Sequence, residues 1–202
     1  VYLWTGDLDR AEALAARFTA RAGSHSLGPY LAVGQAFAGA IAIRRGDVEA
    51  GITALRGGLA TLREAGHEVL TTALELALAE GLAVTGREAE ALALVDAAIR
   101  RVEAHGDLIY RSELLRVKGR VLLATGPADE AEVSLRQSLD CARAHAAPAW
   151  ELRAATDLAA LLAGQGRPGE AVVLLRPVVD GFTEGSETAD LQAAARLLAT
   201  LG

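Results

Sequence analysis

Small and apolar residues recur along this chain with helical spacing, and the pattern repeats every 40 residues. One register position holds glycine throughout: Gly6, Gly46, Gly86, Gly126 and Gly166. Nine residues after each glycine stands an apolar residue: Ala15, Leu55, Val95, Leu135 and Leu175. Seven residues before the last four glycines stands a small residue: Gly39, Ala79, Gly119 and Ala159. A repeat of this length predicts stacked antiparallel helix pairs, with the small positions buried where helices cross.

The pattern predicts two helices per repeat, joined by short loops. The first helices of the pairs are expected at 28–45, 68–85, 108–125 and 148–165. The second helices are expected at 8–23, 48–65, 88–105, 128–145 and 169–183, with a final helix at 188–201.

Residues at the predicted helix ends have the chemistry that such ends require. The register glycine is expected to end each first helix in a left-handed conformation. The backbone N–H groups that follow can then donate hydrogen bonds to the last carbonyl oxygens of the helix. Asp7 and Asp47 follow the glycine and are expected to cap the next helix. Pro127 and Pro168 are expected in first helical turns, where proline is tolerated.

The predicted fold class is all-α, a right-handed superhelical solenoid of the tetratricopeptide type. The residues 1–202 are expected to form a single helical-repeat domain, in this order: a partial repeat 1–25, repeats 26–65, 66–105, 106–145 and 146–185, and a C-terminal capping helix 187–202. Tetratricopeptide repeats have a period of about 34 residues, so each pair here carries extra helix. HEAT repeats, with a similar period, are the structural alternative.

Composition limits the possible functions. Hydrophobic residues make up 51% of the chain but aromatic residues only 4%, which suits helices packed through small side chains. The net charge of −6 argues against a nucleic-acid surface. A lone cysteine, Cys141, excludes an intramolecular disulfide. The sequence has no 18-residue apolar run and no signal peptide, so a cytoplasmic protein without membrane contact is expected.

The start of the sequence resembles the end of a helix. The chain lacks methionine, and Val1, Tyr2, Leu3 and Trp4 are expected to form a helical stub. We therefore expect a fragment of a longer protein, with an exposed apolar patch beside this stub. Self-association through that end is a further expectation, because a solenoid normally covers such a face with a neighbouring repeat.

A more specific resemblance covers roughly the last 90 residues. Four segments carry it: 113–119, 126–132, 150–155 and 182–191. They look like the C-terminal tetratricopeptide region of bacterial STAND-class signalling ATPases, which include regulators of the maltose-regulator/LuxR type and ATPase-linked nucleotide cyclases. Ser186 and Glu187 depart from that family, which usually has an aromatic residue and an aspartate there. The resemblance implies a regulatory arm that senses a protein or small effector and controls the ATPase.

A cluster of arginines is the candidate site. In a solenoid of this type the first helices line the inner groove. By helical register, that groove brings together four arginines and two nearby acids: Arg116, Arg120, Arg153, Arg196, Glu80 and Glu113. Guanidinium groups suit carboxylate and phosphate ligands. The alternative is an internal salt network, with Glu113 pairing Arg116 and Glu151 reaching Arg120.

Other motifs are weaker. Residues 164–169 match the dinucleotide fingerprint but follow a helix, so they predict an inter-helix turn. His25, His105 and His145 share one register position at helix ends, and histidine there complements the helix dipole. They are expected to lie too far apart for one metal. Cys141 is expected to be an inert thiol. We therefore expect no catalytic residues, no cofactor and no metal.

The sequence thus predicts a non-catalytic scaffold for protein interaction or effector sensing. Its expected partner is a protein or peptide, or an anionic small effector, and not nucleic acid. The alternative is a stand-alone tetratricopeptide adaptor that binds a peptide or protein in its concave groove.

Overall fold

The structure, a computed structural model, describes residues 2–68, 70–106, 108–126 and 128–202. These residues contain eleven α-helices, one short 3-10 helix and no strand. In chain order the α-helices are α1 (Tyr2–Thr5), α2 (Leu8–Ser24), α3 (Gly28–Arg45), α4 (Val48–Glu64), α5 (Thr71–Val84), α6 (Glu88–His105), α7 (Arg111–Thr125), α8 (Ala128–Ala144), α9 (Pro148–Gly164), α10 (Pro168–Asp180) and α11 (Ala189–Leu201). The all-α prediction is confirmed. The chain forms two compact units, Val1–Ala98 and Ile99–Gly202.

In the first unit, α3 and α4 run antiparallel and pack at their glycines. A Cβ placed on Gly39 would lie 2.8 Å from the carbonyl oxygen of Gly51, and one on Gly51 would lie 2.6 Å from that of Gly39. A Cβ on Gly58 would lie 2.8 Å from the Cβ of Ala36. Real Cβ atoms do not approach other atoms so closely, so these helices depend on glycine at the crossing.

The second unit repeats this arrangement with α7 and α8. A Cβ on Gly119 would lie 2.7 Å from Cγ of Leu135, and Ala159 is fully buried. The predicted burial of both small positions is confirmed. Ser112 and Ser138 join the same two helices, since the hydroxyl of each donates to the backbone carbonyl of the other, at 3.0 and 2.8 Å.

Four of the five register glycines adopt the predicted left-handed conformation, with φ between +75° and +95°: Gly6, Gly46, Gly86 and Gly166. The prediction is wrong at Gly126, whose φ of −144° and ψ of −167° are extended. The next residue in the sequence is Pro127, and a residue before proline prefers extended backbone. Pro127 itself lies outside the described residues, so its expected place in a helical turn is untested.

The two aspartates that were predicted to cap helices differ in their hydrogen bonds. Asp7 accepts a hydrogen bond from the backbone N–H of Arg10 at 3.1 Å, which confirms its predicted role. Asp47 stands at the equivalent N-cap but makes no side-chain capping bond, so that prediction is wrong. Pro168 is the first residue of α10, as predicted.

Three helices are shorter than the sequence predicts. α5 begins at Thr71, because Leu70 before it has a left-handed φ of +69°, which a right-handed helix does not accommodate. α7 begins at Arg111, because Leu108–Tyr110 form the short 3-10 helix instead. α10 ends at Asp180, before the predicted residue 183, and Gly181 follows it.

The predicted stub is present as α1, while Val1 lies outside the described residues. An exposed apolar patch lies beside it, as expected from the sequence: Tyr2, Leu14, Phe18, Leu27, Tyr30 and Leu70 are 38–52% exposed. Within the described part of the chain, no helix combines the length and the hydrophobicity that crossing a membrane requires.

Neighbouring glycines on α4 test the crossing. Gly58 faces Ala36, whereas a Cβ on Gly57 would have no atom within 4 Å. We expect Gly58→Leu to lower the free energy of unfolding by about 1–3 kcal/mol through overpacking. Gly57→Leu should raise it by roughly 0.5–1 kcal/mol, because leucine favours helix more than glycine does. Urea unfolding of both variants measures the difference, and equal effects would contradict the close crossing.

Candidate functional site

The candidate site in the second unit is built around a buried ion pair on α7. Arg116 and Glu113 stand one helical turn apart, and their side chains are only 3% and 1% exposed. Nε and Nη2 of Arg116 donate to the two carboxylate oxygens of Glu113 at 2.9 and 3.0 Å. Its Nη1 donates to Oδ2 of Asp157 on α9 at 2.7 Å. Arg116 therefore binds two carboxylates on two helices.

Arg153 extends this network from α9 to α11. Its Nη1 lies 2.9 Å from Oε2 of Glu113, and its Nε lies 3.7 Å from Oδ2 of Asp190. Its guanidinium carbon also lies 5.8 Å from the centre of the Trp150 ring, a cation–π distance. The side chain of Arg153 is 10% exposed. Glu113 thus lies between two arginines.

Burial makes this network structural. A charged group removed from water costs several kcal/mol unless it is paired and hydrogen-bonded, and here each buried charge has an opposite partner. The ion pairs connect α7, α9 and α11 and hold their relative register. For Glu113, Arg116 and Arg153, the geometry is that of the internal salt network considered as the alternative above.

Arg120 and Arg196 differ from the buried arginines in exposure. The side chain of Arg120 is 49% exposed, with Nε 4.0 Å from Oδ2 of Asp157. Arg196 is exposed on α11. Both guanidinium groups can reach a molecule in solvent, and Asp157 competes for Arg120.

Glu151 and Glu80 each contact an arginine outside the candidate cluster. Glu151 does not pair with Arg120, so that expectation is wrong: its Oε1 accepts from Nε of Arg143 on α8 at 2.8 Å. The short loop between α8 and α9 brings these two side chains together. Glu80 belongs to the first unit, where its Oε2 lies 3.8 Å from Nη2 of Arg44.

Sequence reasoning missed Asp157 and Asp190, the acids that complete the network. Asp157 stands one repeat and one residue after Arg116, so the 40-residue register places it on the neighbouring first helix. That spacing is a usable signal. Asp190 has no such signal, because it follows the irregular segment between α10 and α11.

A second, more exposed ion-pair cluster joins α8 and α10. Glu132 accepts hydrogen bonds from Arg136 and Arg167, both at 2.8 Å. Glu170 accepts from the same two arginines, both at 2.7 Å. The bond from Arg167 is the main cause that lowers the pKa of Glu132, and the bond from Arg136 is the main cause that lowers the pKa of Glu170.

The weaker motifs have structural explanations. Residues 164–169 span the turn between α9 and α10, as predicted: Gly164 ends α9, Pro168 begins α10, and Gly166 between them has a φ of +78°. Nδ1 of His105 lies 2.8 Å from the carbonyl oxygen of Arg101, and Nδ1 of His145 lies 2.8 Å from that of Cys141. These contacts confirm helix-end roles for both histidines. Among the described residues, no three side chains of metal-binding type come together.

One neighbour of Cys141 was also missed. The buried thiol lies 3.8 Å from Nδ1 of His145. The spacing of four residues on one helix was the signal that could have found this pair.

No family model matches this sequence. No curated protein matches it at a significant level either.

Similarity appears among solved structures. A kinesin light chain-like protein of Podosopora anserina with nearly identical TPR-like repeats is 20% identical in sequence, with a TM-score of 0.59, and the match covers 98% of this chain and 86% of that one. A second structure, of a single-residue variant of that protein, is 18% identical, with a TM-score of 0.60, and the match covers 100% of this chain and 86% of that one. At this identity the likeness shows the fold alone. The chain therefore has a helical-repeat fold of the tetratricopeptide type, as predicted.

Removing a buried arginine should destabilise the second unit. In Arg116→Met, Glu113 and Asp157 each lose a buried or half-buried partner, so we expect the free energy of unfolding to fall by about 3–5 kcal/mol. Arg120→Met removes the same charge from an exposed side chain and should change it by less than about 0.5 kcal/mol. Urea unfolding of both variants measures this. Similar losses would mean that the network on α7 is not structural.

The cluster on α8 and α10 should stabilise the fold in a pH-dependent way. Because the pKa of Glu132 is lowered in the folded state, its contribution is complete above the ordinary glutamate pKa of about 4.3 and is lost as the pH falls through the lowered value. We expect Glu132→Gln to lower the melting temperature by about 2–4 °C at pH 7, and the difference from wild type to shrink in acid.

The matched control is Asp140→Asn, which neutralises an exposed acid on the same helix, outside its first turn and without a described ion-pair partner. Its melting temperature should stay close to that of wild type at every pH. A Glu132→Gln difference that persists unchanged in acid would contradict the lowered pKa.

Proposed function

We propose that this chain is a non-catalytic scaffold for protein interaction or effector sensing, and that it is the regulatory arm of a bacterial signalling ATPase of the STAND class. The helical-repeat fold supports the scaffold, because such repeats present long surfaces formed by successive helices. The sequence resemblance over the C-terminal half supports the regulatory role. A stand-alone tetratricopeptide adaptor that binds a peptide or protein in its concave groove is the alternative.

The observation that carries the proposal is the contrast between two arginines one turn apart on α7. Arg116 is 3% exposed and is held by two carboxylates, whereas Arg120 is 49% exposed. A buried network therefore fixes the helix that presents an exposed guanidinium group. A binding group on a fixed helix loses less conformational entropy when it binds.

The proposed ligand group is anionic, a carboxylate or a phosphate on a protein, peptide or small effector. Arg120 and Arg196 would contact it, and Glu113, Arg116 and Arg153 would position the helices that carry them. Binding should weaken as salt is added, because exposed charges are screened within about 8 Å at physiological ionic strength.

A selection of displayed random peptides tests this site. Peptides enriched on the immobilised wild-type chain should carry acidic side chains. We expect the double variant Arg120→Ala/Arg196→Ala to lose that enrichment while its melting temperature stays near that of wild type, since both side chains are exposed.

The control variant Arg100→Ala/Arg176→Ala removes the same charge from exposed positions on α6 and α10. It should retain the enriched peptides. If both double variants enrich the same acidic peptides as wild type, Arg120 and Arg196 are not the binding site.

The coding sequence of the parent gene separates the two functions. A regulatory arm requires a nucleotide-binding module in the same polypeptide, with a glycine-rich phosphate loop of the GxxxxGK type. An adaptor requires none.

A further inference from the structure

Asp157 lies at the boundary between the buried network and the exposed arginines of the second unit. Its side chain is 27% exposed, between the 3% of Arg116 and the 49% of Arg120. One carboxylate oxygen, Oδ2, accepts a hydrogen bond from Nη1 of Arg116 at 2.7 Å and lies 4.0 Å from Nε of Arg120. The same oxygen therefore faces one arginine that is structural and one that is proposed to bind a ligand.

Arg116 holds this carboxylate in place. Nε and Nη2 of Arg116 donate to both carboxylate oxygens of Glu113, so the guanidinium plane is fixed on α7. The third nitrogen, Nη1, is thereby directed at Asp157 on α9. A planar group held by two parallel hydrogen bonds and removed from water has little freedom to rotate. Asp157 consequently keeps its position when the exposed side chain of Arg120 moves.

A ligand can approach Arg120 from solvent. The 4.0 Å between its Nε and Asp157 is longer than a hydrogen bond, so Arg120 can turn toward a second anion while Asp157 stays on Arg116. In the 40-residue register, the positions equivalent to Arg120 are Ala160 on α9 and Thr200 on α11. Both are exposed, so the neighbouring helices place only small side chains at this position.

A ligand group that contacts both Arg120 and Arg196 must lie over α9. Arg120 belongs to α7 and Arg196 to α11, and α9 packs against both of these helices. Asp157 is on α9, beside Arg120. An anion held by the two arginines is therefore also close to a fixed negative charge.

The repulsion from Asp157 grows with the charge of the ligand. A carboxylate carries one negative charge, whereas a phosphate monoester carries about 1.5–2 at pH 7. Two unit charges about 6 Å apart in water repel each other by roughly the free energy of a threefold change in Kd. Asp157 therefore weakens the binding of a carboxylate about threefold and that of a phosphate about tenfold.

We propose that Asp157 is a specificity-determining residue of the site formed by Arg120 and Arg196, and that it selects the carboxylate of an acidic side chain against a phosphate. This inference rests on the proposed function, because it requires an anion at these two arginines. It adds the chemical class of that anion. The carboxylate of Asp157 then has two roles, since it pairs with Arg116 and limits the charge of a ligand at Arg120.

Two labelled peptides test this selectivity. The first is an acidic peptide enriched on the wild-type chain in the displayed-peptide selection. The second differs only at the glutamate whose replacement by alanine costs most affinity, which becomes phosphoserine. Fluorescence anisotropy against the whole chain gives each Kd, and we expect wild type to bind the glutamate peptide more tightly. This comparison needs no variant of Asp157, so it does not depend on how a variant folds.

Asp157→Asn removes the charge and keeps an oxygen that can accept a hydrogen bond from Arg116. We expect it to tighten binding about threefold for the glutamate peptide and about tenfold for the phosphoserine peptide. A purely structural role would instead weaken both alike, because a displaced α9 disturbs the site for either peptide. Asp157→Glu restores the charge and should restore the wild-type ratio of the two Kd values.

The matched control is Asp140→Asn, which removes the same charge from an exposed position on α8. The ratio of the two Kd values should equal that of wild type. Circular dichroism of each variant checks that the helices are intact.

Different results overturn different proposals. If the selection enriches no acidic peptide that depends on Arg120 and Arg196, the anion site is wrong and the role of Asp157 with it. If such peptides bind but wild type prefers phosphoserine, the site stands and its ligand is not selected as a carboxylate. If Asp157→Asn changes both Kd values by the same factor, the site stands and Asp157 does not determine its specificity.

Discussion

Close approach of helix backbones is the constraint on which both units depend. A helix pair can come so near only where at least one partner has no side chain or only a methyl group at the crossing, and the 40-residue register supplies that small residue in each repeat. Gly39 and Gly51 meet in the first unit, and Gly119 meets α8 in the second. These contacts fix the register of each pair, and the register decides which side chains are buried and which face neighbouring helices.

The buried charges follow from this register. Because small residues hold α7 against α8, the opposite face of α7 is directed at α9, and that face carries Glu113 and Arg116. The bidentate pair uses only two of the five N–H donors of Arg116. Asp157 accepts a further hydrogen bond from Arg116, and Arg153 brings a second positive charge to Glu113. Replacement by apolar residues of similar size would often be neutral or stabilising. The network therefore specifies the register of the helices more than it adds stability.

The sequence predicted the features that depend on spacing along the chain. The repeat period, the helix order, the buried small residues and the left-handed turn at Gly166 all follow from local pattern, because 3.6-residue periodicity and glycine geometry are local rules. It failed where two local rules compete, as at Gly126, which precedes a proline. It failed also where a side chain chooses among partners on different helices, as Glu151 does. That choice depends on distances that one-dimensional register does not contain.

Binding residues are hard to recognise in the sequence of a repeat fold, because the sequence does not show which partner a side chain meets. Arginines that face a neighbouring helix pair with its acids and stabilise the scaffold. Arginines one turn farther along are exposed, yet both types have equivalent helical spacing in the sequence. Arg116 and Arg120 are such a pair. When a buried arginine such as Arg116 is replaced, partner binding is also lost if the helix is displaced. Affinity therefore has to be interpreted together with the free energy of unfolding of the same variant, and only a side chain that changes affinity alone contacts the partner.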